Sequence, residues 1–166
     1  MTLPSTTLFD TQIKQLADEL KIPNFKGTFM SDEVPPFSSQ SGNFSAIINL
    51  EPHYMQGSHW TAIAKIDSQS FYFDSFAEPP PDRVIKSLKN RKQYLSKTPT
   101  IFCNSLVVQQ EDSCECGSLC LFVLYYLNRG TSYNNILQFL HARVNKTNVQ
   151  PLRIHDDLPR METRIG

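Results

Sequence analysis

Apolar residues near the amino terminus recur at three- and four-residue steps: Phe9, Ile13, Leu16 and Leu20. That spacing predicts an amphipathic helix, and Pro23 stops it. Residues 27–42 are rich in Pro, Ser and Gly and predict a loop. Three short apolar runs follow. SAIINL (45–50), HWTAIAKI (59–66) and SFYFDSF (70–76) read as strands, with DSQS as the turn of a hairpin between the last two. EPPPDR breaks the pattern, and Pro81 followed by Asp82 opens a helix expected to run to about Leu95. A strand is expected near 105–108. Residues 118–128 are apolar all round, which predicts a buried helix. Gly130 ends it, and Thr131 or Ser132 caps a last helix through Phe139. From Asn145 the sequence turns polar and is broken by Pro151 and Pro159. The order of elements is α+β rather than alternating βαβ, with a single domain over 1–144 and a polar, loosely attached tail over 145–166.

Composition narrows the function classes. The chain has 166 residues, with sixteen basic side chains against sixteen acidic. Such a balance makes no global electrostatic case for nucleic acid. The local exception is residues 83–97, with six basic residues and no acid; it reads as a solvated helix face or as a site for an acidic partner. No charged-then-apolar leader follows the first Met, and no apolar run is long enough to span a membrane. The expectation is an intracellular protein, not anchored in a membrane, with its four cysteines unpaired.

Those cysteines carry the candidate chemistry. Cys114, Cys116 and Cys120 fall within seven residues, and Cys103 lies upstream. Cys114 and Cys116 are separated by one residue, against the two to four usual for a zinc knuckle, and no second paired motif exists. Cys120 lies inside the apolar run and reads as a small buried hydrophobe. Cys116 precedes Gly117 at a helix start, where unpaired N–H groups and the helix dipole stabilise a thiolate. Gly117 lets the backbone approach another chain closely.

A nucleophilic cysteine needs a base, and the base needs an orienting group. Among the four histidines, His59 opens a strand. With a two-residue hairpin turn at Asp67 and Ser68, Asp74 faces Thr61, and His59 is its diagonal neighbour at roughly 7–8 Å between backbones. A carboxylate and an imidazole bridge that gap, so Asp74 can fix the His59 tautomer. Gln110 is a side-chain amide that could serve an oxyanion. Each group also has an ordinary reading: Asp74 as a turn cap, Gln110 as a surface residue.

The ordered set His59, Asp74, Gln110, Cys116, carried by GSHWTAIAKID, SFYFDSF and QQEDSCECGSLCLFVL, resembles the cysteine-protease clan of adenovirus maturation protease (adenain) and the ubiquitin-like-protein proteases. The adenoviral branch is the closer likeness, through the first helix, NFKGTF and SAIINL. The likeness covers roughly residues 8–142.

The resemblance implies a papain-like core in which a mixed sheet packs on a buried helix starting at the catalytic cysteine. It implies Cys116 as nucleophile, His59 as general base, Asp74 as its orienting group and Gln110 in the oxyanion hole. Trp60 and Gly117 fall on the substrate-binding side. It implies a virus-encoded endopeptidase, monomeric, that cleaves capsid and core precursors in the host cell and virion. No metal or organic cofactor is implied, while an activating peptide or nucleic acid is carried over as a candidate partner. Asp74 stands where adenoviral enzymes have Glu and ubiquitin-like-protein proteases have Asp. Gln110 has the spacing of the latter branch and Gln109 that of the former. The adenoviral enzyme tethers its peptide through a cysteine; Cys103 lies in that general region at a different spacing, and reads first as a core or strand cysteine. A protease for ubiquitin-like modifiers, and an inactive or metal-stabilised binding module, are the competing readings.

Overall fold

The computed structural model describes residues 1–39, 41–51, 59–89 and 101–155. Helix α1 spans Asp10–Glu19, strand β1 Phe25–Met30, β2 Phe44–Asn49, β3 Trp60–Ile66 and β4 Gln69–Phe73. Helix α2 spans Asp82–Leu88, strand β5 Ile101–Cys103, helix α3 Cys116–Asn128 and α4 Tyr133–Val144. A short 3-10 turn, Phe37–Ser39, precedes β2. The strands form one five-stranded mixed sheet in chain order. The central pairs β2–β3 and β3–β4 are antiparallel, and the outer pairs β1–β2 and β4–β5 are parallel. The α+β class and the mixed sheet are as expected from the sequence.

Layering explains the apolar runs. All of β2 is buried, because both faces of the sheet are covered and a strand between two layers has no polar side. On one face Ile47, Trp60, Ala62, Ala64 and Phe73 pack with α1, α3 and α4. On the other, Phe44, Ile48, Ile63 and Tyr72 pack with Phe37 and with Val84 and Leu88 of α2. Helix α3 is buried over twelve residues, Cys116 to Leu127. Its apolar circumference is that of a helix enclosed on every side. Gly130 at φ 90° supplies the left-handed residue that ends it. Ser132 then caps α4, accepting from the Asn135 N–H.

The hairpin turn has two residues. Ile66 pairs with Gln69, and Asp67 and Ser68 lie between them at φ 51° and 69°. Two positive φ values match the right-handed twist of the flanking strands.

Four expectations change. Residues 25–30 form β1, so the first four residues of the loop expected over 27–42 are strand. The register slips between Phe25 and Thr28, around Gly27 at φ 114°, and this half-buried edge strand shows no alternation in the sequence. The strand expected at 105–108 lies at 101–103. Val108 is buried through one bond of its N–H to the Ser75 carbonyl, which gives the segment a strand-like apolar look without a ladder. Helix α2 is described to Leu88, and the expected end at Leu95 lies outside the described residues. Finally, residues 145–155 are not loose. Leu152 and Ile154 are buried, Thr2 bridges Arg153, and the Leu3 N–H bonds the Leu152 carbonyl at 2.8 Å.

Candidate active site

Strand β3 begins at Trp60, so His59 stands just beyond its end. The last pair of the hairpin is Ala62 with Phe73, which places Asp74 one step further, facing Thr61. The diagonal between His59 and Asp74 is closed by their side chains: His59 Nε2 lies 2.9 Å from Asp74 Oδ1. The carboxylate is fully buried, and the imidazole is 21% exposed. Phe76 donates its N–H to the same Oδ1 at 2.8 Å. Its ring lies 5.4 Å from that of His59 and shelters the pair from water.

The main chain of Asp74 is clamped by Asn104. The Asn104 amide donates to the Asp74 carbonyl at 2.6 Å, and its oxygen accepts from the Asp74 N–H at 3.1 Å. Asn104 follows directly on β5, so its side chain continues beside Asp74 the pairing that the strand backbone no longer makes. Burying a free carboxylate is costly unless hydrogen bonds and charge compensate. Here Phe76 and His59 supply both for Oδ1.

Cys116 opens α3 and is buried. Its thiol is hydrogen-bonded to His59. Nε2 is taken by Asp74, so Nδ1 is the nitrogen left for sulfur. Burial pushes the thiol up, but the His59 bond, the His59 charge and the backbone N–H groups of Trp60 and Gly117 outweigh it, so the Cys116 thiol lies below its ordinary value. Burial likewise works against a charged His59. The bonds and charges of Asp74 and Cys116 prevail, and the ring is pushed up to about 9. The two shifts support each other: His59 favours a negative sulfur, and Cys116 with Asp74 favours a protonated ring. Cys120, one turn on, has no such partner and burial pushes its thiol well up, as fits a packing role.

Trp60 and Gly117 sit beside Cys116. Trp60 Nε1 donates to the Leu8 carbonyl at 2.9 Å. A Cβ on Gly117 would stand 3.2 Å from Leu8 Cδ1 and 3.4 Å from Trp60 Cδ1. The glycine therefore lets the segment around Leu8 close over the helix start. The Ser118 hydroxyl donates to the Pro4 carbonyl at 2.5 Å and holds the same segment.

The two glutamines separate. Gln109 is buried, accepts from the Ser75 hydroxyl at 2.5 Å and donates to the Ser113 carbonyl at 2.8 Å. Gln110 is exposed. Cys103 ends β5, exposed, and Cys114 is exposed as well. Among the described residues no group of three or more His, Cys, Asp or Glu could hold a metal ion. No described helix is long and apolar enough to cross a membrane. Sequence reasoning missed Leu8, Ser75 and Asn104. Their positions follow from chain paths between elements, which leave no periodic signal.

No family model matches the chain. It is 28% identical to the protease of Porcine adenovirus A serotype 3, over 86% of this chain and 79% of the relative. It is 29% identical to the protease of Bovine adenovirus 4, over 77% of this chain and 70% of the relative. In fold it is similar to two crystal structures of the ASFV protease, at TM-scores of 0.56 and 0.53 and 17% identity. Each match covers 85% of this chain, and 67% and 68% of the respective structure. In sequence the chain is thus similar to adenoviral proteases and in fold to another viral protease, and the protease resemblance carried by its motifs holds.

Proposed function

We propose that Cys116 is the nucleophile of a thiol endopeptidase, with His59 as its proton carrier and Asp74 as the group that orients His59. The chain is, by its likeness to adenoviral proteases, a viral maturation protease. Its substrates are precursors of viral structural proteins, cut in the host cell and the virion. The carrying observation is the line from Asp74 Oδ1 to His59 at 2.9 Å and on to a Cys116 thiol held below its ordinary value.

That arrangement supports acyl transfer. The sulfur attacks the scissile carbonyl, and the imidazolium gives its proton to the departing amine. Water then attacks the thioester, with neutral His59 taking its proton, and the acid leaves. The oxyanion needs donors fixed before charge develops. The start of α3 supplies backbone N–H groups. Of the two glutamines, Gln109 suits the second donor. A primary amide has two N–H bonds, and the Ser113 carbonyl engages one, leaving the other free on a side chain that Ser75 holds still. Trp60 and Gly117 border the substrate. An activating peptide or nucleic acid belongs to the same proposal, with the basic residues of 83–97 as the nucleic-acid candidate.

The test is the iodoacetamide labelling rate of each cysteine against pH, in wild type and His59→Ala. Cys116 labels fastest well below pH 8.5, the ordinary region for a thiol at about that value, and loses the advantage in His59→Ala. A Cys116 no more reactive than Cys114 refutes the assignment. Cleavage of adenovirus-type capsid precursors, with no cleavage of a ubiquitin-like modifier's carboxyl terminus, separates the proposal from the modifier-protease reading.

A further inference from the structure

Arg143 of α4 is a buried cation outside the Cys–His–Asp set, its side chain 7% exposed. Its guanidinium makes a fork onto Glu115: Nη2 to Oε1 at 2.9 Å and Nη1 to Oε2 at 3.3 Å. The remaining edge, Nε, donates to the Gln150 carbonyl at 2.9 Å. Glu115 is the cap residue of α3, at φ −86° and ψ 4°, and its next peptide carries Cys116. Ser113 ties in from the other side. Its hydroxyl donates to Glu115 Oε2 at 3.4 Å and accepts from the Glu115 N–H at 3.2 Å. The Ser113 carbonyl accepts from Gln109, and Gln109 accepts from Ser75, which adjoins Asp74.

Polar contacts therefore run from Gln150 through Arg143, Glu115, Ser113 and Gln109 to the residue after Asp74. Taking a guanidinium out of water is expensive, and a buried ion pair often adds nothing to stability over apolar packing. What a planar, two-pronged contact adds is fixed geometry. This one fixes the single peptide that sets the nucleophile against the end of β3.

We propose that Arg143 is a positioning residue for Cys116. Its fork holds Glu115, and through it the helix start and the 109–115 segment, where the thiol meets His59. The segment after α4 takes part, because Gln150 holds the third side of the guanidinium. This rests on the assignment of Cys116 and His59 made above.

The experiment is Cys116 alkylation by iodoacetamide against pH, mapped by mass spectrometry on the full chain. Wild type, Arg143→Met, Arg143→Lys and His59→Ala are compared, with folding followed by near-ultraviolet circular dichroism and urea titration. The expected result for folded Arg143→Met is a Cys116 rate about tenfold lower at pH 6 to 7, the size of effect a slightly displaced reacting group produces. Its profile moves toward that of an ordinary cysteine. Arg143→Lys, which keeps the charge and loses the fork, falls between the two. A merely structural arginine would lower the urea midpoint and leave the profile of the folded protein unchanged, and that result overturns the inference. Should Arg143→Met not fold, Arg143→Lys decides by the same criterion. A wild-type profile indifferent to His59→Ala overturns the protease assignment, and this inference with it. A profile sensitive to His59→Ala but not to Arg143 overturns the inference alone.

Discussion

Replacing Asp74 with Asn keeps the outline of the side chain and removes the charge on which His59 leans. Burial works against the protonated ring, and the bonds and charges of Asp74 and Cys116 bring it to about 9 from 6.5. That displacement is worth about 3.4 kcal/mol at about 1.36 kcal/mol per pH unit. The ring is 21% exposed, and solvent screening leaves about 2 kcal/mol. Asp74 leads the groups that support the charge. Without it burial dominates, the imidazole becomes neutral, and Cys116 returns toward its ordinary value.

The pH dependence follows from proton counting. A raised His59 contributes stability that is complete below pH 6.5 and is lost as pH rises through about 9. A lowered Cys116 contributes stability that is present above its ordinary value and is lost as pH falls through its folded value. Between its folded and ordinary values Cys116 has released a proton in the folded chain that it keeps in the unfolded one, which offsets the opposite slope of His59 between 6.5 and about 9. Asp74→Asn is therefore expected to cost about 2 kcal/mol across that window, with the deficit shrinking above pH 9, where wild-type His59 is itself neutral. The same 2 kcal/mol slows Cys116 alkylation at pH 7 roughly 30-fold. Urea titrations at pH 7.5 and 10 and a pH–rate profile measure both. A folded Asp74→Asn protein with the wild-type alkylation profile would refute the reasoning.

Other changes test separate parts of the site. Gln109→Ala, with folding checked, lowers kcat for peptide cleavage by roughly 100-fold, within the range for a lost oxyanion donor, while Gln110→Ala stays within a few-fold. The opposite order would return the role to Gln110. Gly117→Ala forces Leu8 to give way by a few tenths of an ångström; overpacking costs about 1–3 kcal/mol, offset by about 1 kcal/mol of helix propensity. A fall in Tm of a few degrees is expected, and a rise would show that the Leu8 segment yields freely. Leu152→Ala costs about 2–3 kcal/mol by urea titration, as for a core leucine, whereas a free tail would show no change.

The sequence makes the centre of the molecule readable and its edges obscure. The apolar circumference of α3 and the runs of β2, β3 and β4 carry strong signals, because burial on two faces leaves little freedom of composition. The two-residue turn at Asp67 and Ser68 sets the register, and the register alone brings Asp74 diagonally against His59. By contrast, β1 and β5 are half-covered edges whose residues follow no period. Asn104, Ser75 and Arg143 act through side-chain bonds to residues about thirty positions away, and nothing local marks them. The tail from Asn145 looks dispensable because its polar majority hides Leu152 and Ile154, two anchors separated by one residue.

Those anchors have a temporal consequence. The Met1 carbonyl accepts from the Ile154 N–H at 2.7 Å, Pro4 and Leu8 close over the start of α3, and Arg143 waits for Gln150. Met1, Thr2 and Leu3 thus find their partners only when residues 152–154 have left the ribosome, whereas Pro4 and Leu8 await only Ser118 and Trp60. Contacts of such wide sequence separation form late and slowly. A growing chain can already carry Cys116 and His59 and still lack the contacts made by residues 150–154. The pairing of Met1, Thr2 and Leu3 with residues 152–154 is thus among the last parts of the described fold to close.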